Sequence, residues 1–166
     1  MKLVNLFAAL LLAALSTPAL AVDTTIGVAK TSAEIDNAEF DDGLKAFVNV
    51  SFDNGMGIEV ATGKYGSLSV HGYDVEIRAT NVALLASTRG EVVQFFGKLG
   101  ISAWEIVEDD YDDYSTYRDS DEDMFIGFGM NIIAGSVTLK AEVEQIDNDN
   151  AENRVVSTNI GVGIRF

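Results

Sequence analysis

Val156-Ser157-Thr158-Asn159-Ile160-Gly161-Val162-Gly163-Ile164-Arg165-Phe166 alternates without interruption. Val156, Thr158, Ile160, Val162, Ile164 and Phe166 fall on one side of an extended chain. Ser157, Asn159, Gly161, Gly163 and Arg165 fall on the other. A period of two, with one apolar face and one small or polar face, is the pattern of a β-strand. The pattern recurs upstream. Val137, Leu139, Ala141 and Val143 oppose Thr138, Lys140, Glu142 and Glu144. Met124, Ile126, Phe128, Met130 and Ile132 oppose Phe125, Gly127, Gly129 and Asn131. Phe95, Leu99 and Ile101 oppose Phe96, Lys98, Gly100, Ser102 and Trp104.

The first half of the chain behaves likewise. Tyr73, Val75, Ile77 and Ala79 oppose Asp74, Glu76, Arg78 and Thr80. Met56, Ile58 and Val60 oppose Gly57, Glu59 and Ala61. Leu44, Ala46, Val48 and Val50 oppose Lys45, Phe47, Asn49 and Ser51. A short strand over residues 24–30 precedes them. Near Asn81 the apolar face changes phase, which a bulge or a short helical turn would explain. Eight strands result. Asp53-Asn54-Gly55, residues 86–90 and Ala134-Gly135-Ser136 are tight-turn material. Residues 31–42, 64–72, 105–123 and 147–153 read as longer polar loops. Short turns therefore fall at one end and long loops at the other, as in an up-and-down meander. The fold expected is all-β, an eight-stranded antiparallel up-and-down transmembrane β-barrel.

Composition narrows the function. The chain has 166 residues, a formal charge of −15, no Cys and one His. Such an acidic chain is ill suited to a phosphate backbone, so no nucleic-acid partner is expected. Without Cys there is no disulfide, thiolate metal site or thiol nucleophile. Residues 1–21 open on Lys2, continue through an apolar run over residues 3–15, and end on Ala19-Leu20-Ala21. This reads as a secretory signal peptide, because the run falls short of the ~20 residues that span a bilayer. The domains expected are a signal peptide over 1–21 and a barrel over 22–166.

The polar face carries Lys45, Glu59, Asp74, Glu76, Arg78, Lys98, Lys140, Glu142, Glu144 and Arg165, five bases and five acids. Phe47, Phe96, Trp104, Phe125 and many glycines share that face. Aromatics, glycines and balanced charges suit a narrow filled lumen, and the apolar face then meets lipid. The first reading of the charges is a static polar plug; the alternative is a gate of switchable ion pairs.

Three segments carry a family resemblance. They are Phe95-Phe96-Gly97-Lys98-Leu99-Gly100-Ile101-Ser102-Ala103-Trp104, Leu139-Lys140-Ala141-Glu142-Val143-Glu144-Gln145-Ile146-Asp147 and Ile160-Gly161-Val162-Gly163-Ile164-Arg165-Phe166. The chain resembles the OmpA/opacity-type small outer-membrane β-barrels, with Val143 standing where the family usually has Tyr. The resemblance implies an outer-membrane location in a Gram-negative bacterium. It also implies Ile164 and Phe166 as an assembly signal read by the outer-membrane assembly machinery, with membrane lipid and lipopolysaccharide as surroundings. A monomer with no cofactor and no enzymatic activity is expected. The role expected is structural or surface-interacting; an adhesin, a receptor or a small low-conductance porin is the alternative.

Residues 105–123 hold ten acids against Arg118 alone, with Tyr111, Tyr114 and Tyr117 interleaved. A solvated surface loop is the plain reading. Divalent cations are the functional one, with Asp109, Asp110, Asp112 and Asp113 as candidate ligands, although no ordered EF-hand spacing is present. Ser69-Val70-His71 is a poor match to the His and Ser of lipid A-modifying barrels, with the two residues in reverse order, and leaves that enzyme class remote.

Overall fold

The computed structural model describes residues 22–35, 38–70, 73–110, 115–146 and 154–166. The expected signal peptide lies outside them. Strands are β1 (Val22–Ile35), β2 (Ala38–Glu39), β3 (Asp41–Phe52), β4 (Met56–Val70), β5 (Tyr73–Ser87), β6 (Val93–Asp110), β7 (Ser115–Ala134), β8 (Val137–Ile146) and β9 (Val155–Arg165). The two-residue β2 pairs only with the end of β1. The other eight pair antiparallel with their chain neighbours, and β1 also pairs with β9 from Thr25↔Arg165 to Ile35↔Val155. The sheet is therefore a closed eight-stranded barrel, which removes the open edges that a flat sheet would expose. No described helix is long and apolar enough to cross a membrane.

At the short-turn end, Gly55 and Gly135 adopt φ of 84° and 63°. Both values belong to the left-handed region, where a Cβ is unfavourable. At the other end the strands run much longer than the sequence suggested. Residues expected to be loops, such as 64–70, 105–110 and 115–123, are paired strand.

The apolar faces of β6, β7, β8 and β9 point outward, where Phe95, Leu99, Ile101, Phe128, Leu139 and Ile160 are exposed. The opposite faces fill the interior. Eight strands enclose a space that side chains can fill, and here glycines make room for large ones. Phe96 and Lys98 on β6 stand opposite Gly129 and Gly127 on β7. A Cβ on Gly129 would lie 2.5 Å from the Phe96 ring and 2.5 Å from the Ala141 carbonyl oxygen. Because that oxygen belongs to the ladder, Gly129→Ala is expected to cost about 1–3 kcal/mol. Urea unfolding in detergent micelles checks this; an unchanged midpoint would contradict it.

The phase change expected near Asn81 has a different origin. β5 keeps one register throughout, pairing without a break from Ser87↔Phe96 to Tyr73↔Asp110. Its buried face runs Leu85, Ala83, Asn81, Ala79, Ile77. There is neither a bulge nor a helical turn at Asn81. What changes is the surroundings of the outer face. Leu84 and Val82 lie in the apolar belt, whereas Arg78 and Glu76 lie beyond it. Outside lipid the apolar-out rule lapses, and Ile77 and Ala79 turn inward to bury their surface. Among the described residues the one register shift sits on β4, where Lys64↔Arg78 is followed by Gly66↔Ile77. Tyr65 is the extra residue, and the bulge aims its ring into the barrel. Its carbonyl leaves the β4–β5 ladder and accepts a hydrogen bond from the buried Thr31 hydroxyl at 2.7 Å.

Candidate functional site

Three lysines and three glutamates meet in the barrel interior. Lys140, Glu142 and Glu144 alternate along β8 and so share its inner face. Lys45 arrives from β3, Glu59 from β4 and Lys98 from β6. Lys45 Nζ donates to Glu142 at 2.5 Å and to Glu144 at 3.0 Å. Lys98 Nζ lies 2.7 Å from Glu59, 2.8 Å from Glu142 and 2.5 Å from Glu144. Lys140 Nζ lies 2.9 Å from Glu142 and also pairs with Glu59. Every ammonium thus touches at least two carboxylates. All six residues are buried, and their formal charges cancel. Ions removed from water need this density of partners, since an unpaired buried charge is very costly.

Aromatic faces complete the lysine shells. Lys140 Nζ sits 4.6 Å from the centre of the Phe47 ring and 5.2 Å from that of Phe96. Lys98 faces Phe125 at 5.7 Å, and Lys45 faces Tyr65 at 5.5 Å. These are cation–π distances. Glu144 is held further by Asn159 Nδ2 at 3.0 Å and by the hydroxyls of Tyr65 and Ser157, each at 3.2 Å. Asn81 Nδ2 donates to the Tyr65 hydroxyl at 2.6 Å. Carboxylate oxygens of Glu59, Glu142 and Glu144 lie within 4.8 Å of one another. The cationic positions among them are filled by lysine ammonium groups, so the cluster is an internal salt.

Three of the ten charges expected in the lumen lie outside it, and a fourth, Arg165, stands at the mouth of the interior rather than in the cluster. Asp74, Glu76 and Arg78 occupy the face of β5 opposite Ile77 and Ala79, outside the barrel. Glu76 pairs there with Arg78 and, at 3.0 Å, with Lys64. Partial burial pushes the Glu76 carboxyl up, but hydrogen bonds from Arg78 and Lys64 outweigh that and hold it below the usual carboxylate range. Arg165 sits at the short-turn rim, half-exposed, and pairs with Asp23. The expected five-against-five balance is three against three, and still neutral.

Above the ionic layer, towards the long-strand end, the interior is apolar: Ala33, Tyr65, Ile77 and Ala79 pack with Phe40, Trp104, Ile106 and Val155. Trp104 Nε1 donates to Asp123 at 2.6 Å. Below the layer a polar cavity of about 350 Å³ opens towards the short turns, lined by Asn49, Gln94, Asn131, Thr138, Lys140 and Arg165 among others. Phe47 and Lys140 form its inner wall. Among the described residues, the layer and the apolar cap fill the middle of the barrel with side chains. In planar bilayers the purified protein is expected to show no large steady ohmic conductance; such a conductance would refute the filled interior.

The sequence missed Tyr65, assigned there to a loop, although Tyr65 joins the Glu144 cluster. An aromatic after the alternating Gly57–Gly63 stretch was the available signal, but a bulge residue obeys no period. Of the divalent-cation candidates, Asp109 and Asp110 lie in the β6 ladder. Asp112 and Asp113 lie outside the described residues.

The long-strand end is asymmetric. β6 pairs with β5 as far as Tyr73↔Asp110 and with β7 as far as Asp110↔Ser115. β8 joins β7 only from Phe125↔Ile146 onward. β5, β6 and β7 therefore continue past the barrel as an acidic ribbon. Glu105, Glu108, Asp109 and Asp110 stand on β6, with Asp119, Asp121 and Glu122 on β7; Arg118 is the one base on those two stretches, and the next acid, Asp123, is buried against Trp104.

The model of a family described as outer membrane protein beta-barrel domain matches residues 7–166. No curated protein matches the chain. Solved structures share its fold at low identity. Ail, the attachment invasion locus protein of Yersinia pestis, in complex with the heparin analogue sucrose octasulfate, has a TM-score of 0.64 at 18% identity, covering 87% of this chain and 97% of that one. Neisserial surface protein A has a TM-score of 0.64 at 14% identity, covering 87% and 97%. The N-terminal β-barrel domain of Pseudomonas aeruginosa OprF has a TM-score of 0.64 at 16% identity, covering 86% and 97%.

Proposed function

Because the chain belongs to the outer membrane protein beta-barrel domain family, we propose that its barrel is a closed, rigid anchor displaying the acidic ribbon outside the cell to recognise cationic partners. In barrels of this class the short turns face the periplasm and the long end faces outward. The observation that carries the reading is the ribbon itself, which extends beyond the apolar belt from β4 to β7 and concentrates negative charge on β6 and β7. A rigid scaffold with variable projecting segments is where recognition is commonly built. A sealed ionic interior supports an anchoring role for the barrel rather than transport. The chemistry also separates this chain from its structural neighbour Ail. Sucrose octasulfate is a polyanion, and an acidic ribbon repels it. Divalent cations would compete for the same carboxylates.

The test uses proteoliposomes carrying the full barrel, with hexalysine and heparin as probes. Wild-type protein is expected to retain hexalysine and not heparin, with retention falling as salt rises. The triple variant Asp119→Asn, Asp121→Asn, Glu122→Gln is expected to lose most of that retention while still showing the heat-dependent gel shift of a folded barrel. Heparin retention by the wild type, or hexalysine retention unchanged by the triple variant, would overturn the proposal.

A further inference from the structure

The cavity at the short-turn end is assembled from several strands. Its inner wall is Phe47 and Lys140, with the rest of the ionic layer behind them. Gln94 on β6, Asn131 on β7 and Thr138 on β8 line one side. They are neighbours in the sheet, because Gln94 pairs with Asn131 and Thr138 pairs with Ile133, two residues further along β7. Asn49 enters from β3, and residues 87–91 at the β5–β6 connection line the mouth. The inner positions are shielded: Thr138 is 4% exposed and Asn49 8%. Among the described residues, the Thr138 hydroxyl and the Asn131 side-chain carbonyl nevertheless have no hydrogen-bond partner. The volume of about 350 Å³ falls at the lower end of the ~300–1,000 Å³ range of small-molecule sites.

The lining decides what fits. A buried hydroxyl or amide carbonyl without a partner is costly, so the inner end calls for a guest that forms hydrogen bonds. The charges at hand are already engaged. Lys140 is held by Glu59 and Glu142, and Arg165 at the rim by Asp23. Asp53, Arg89 and Glu91 are exposed at the mouth. An ionic guest would therefore give up water without meeting a free counter-charge at the inner end. An apolar guest would leave Asn49, Gln94, Asn131 and Thr138 unpaired, and a site built on such groups rejects molecules that lack the matching hydroxyls. A neutral polyol meets both demands. Each of its hydroxyls donates and accepts, as primary amides and hydroxyls also do between their two ends. We infer that this cavity is a binding site for a small uncharged polyol of the sugar class, entering by the short-turn mouth, with Thr138 and Asn131 holding its deepest hydroxyls. The site lies at the opposite end of the barrel from the acidic ribbon and is independent of it.

The experiment follows the side-chain amide signals of Asn49, Gln94 and Asn131 by NMR in the barrel held in lipid nanodiscs. Four probes are titrated: glucose, trehalose, glucuronate and cyclohexanol. Glucose or trehalose is expected to shift the three amides along one saturable curve, with the backbone amides of the long-strand end unmoved. Glucuronate, the same ring carrying a carboxylate, should bind at least fivefold more weakly than glucose. Cyclohexanol, a ring with a single hydroxyl, should not bind. Thr138→Val replaces the hydroxyl by a methyl of the same shape and should weaken sugar binding at least fivefold, while the folded barrel keeps its heat-dependent gel shift. Gln94→Met, on the half-buried part of the same wall, makes the same test independently and covers a failure of the first variant to fold. Shifts that stay proportional to concentration for both sugars would mean that the cavity takes up water alone, and would overturn the inference. Equal binding of cyclohexanol and glucose would overturn the polyol assignment. Sugar binding unchanged in folded Thr138→Val and Gln94→Met would place the site elsewhere and overturn it as well.

Discussion

Replacing Lys98 with Met is expected to destabilise the barrel by about 3–5 kcal/mol, the cost of stranding buried charge when one partner of a buried ionic cluster is removed. Lys98 is fully buried and touches all three glutamates of the interior. Its loss leaves two ammonium groups against three carboxylates in a space sealed by Phe47, Phe96 and Phe125. The sign of the effect is diagnostic when a second change restores the balance. Lys98→Met combined with Glu142→Gln leaves two lysines and two glutamates, so the double variant should lose less than the sum of the two single losses. Reversible urea unfolding in lipid vesicles measures all three. Additive losses would show that the six groups do not act as one neutral unit.

A large loss is also expected on the lipid face. Val162 pairs with Val28 and Leu139, both exposed, and lies between Ile160 and Ile164 on the outer side of β9. That places it in the middle of the apolar belt. Val162→Arg should cost about 2–4 kcal/mol, the range for a cation near the bilayer midplane. Val162→Leu should be close to neutral because volume and polarity are nearly kept. Gly161→Ser is no benign inward control, since a Cβ at Gly161 would lie 2.6 Å from the Val28 carbonyl oxygen. Equal losses for Arg and Leu at position 162 would place that face away from lipid.

Within the apolar belt the sequence was transparent, and beyond it much less so. On β8 and β9 the alternation is enforced by two solvents, lipid outside and a packed polar interior inside. Lys140, Glu142 and Glu144 could therefore be placed on one face from spacing alone. Beyond Thr80 on β5 and Ala103 on β6 the outer solvent is water. Both faces then tolerate polar residues, and the apolar ones move inward. Glu76 and Arg78 were assigned to the lumen for that reason, because the period was read correctly and the side inverted. Strand length failed for the same cause. Runs such as Glu108-Asp109-Asp110 read as loop because they are acidic, whereas pairing with β5 and β7 holds them extended. Which lysine meets which glutamate was never legible, since partners such as Lys45 and Glu144 are 99 residues apart in the chain and meet only when β1 closes on β9.

The orientation of the ribbon underlies the whole functional reading, and the absence of native Cys makes it directly measurable. A single Cys is introduced at Ser120 on the exposed part of β7, and separately at Ser136 in the turn between β7 and β8. Intact cells are then treated with a membrane-impermeant maleimide. Ser120→Cys is expected to label at once in intact cells, and Ser136→Cys only after the outer membrane is permeabilised. Labelling of Ser136→Cys in intact cells with Ser120→Cys protected would turn the barrel over and remove the ribbon from the cell surface.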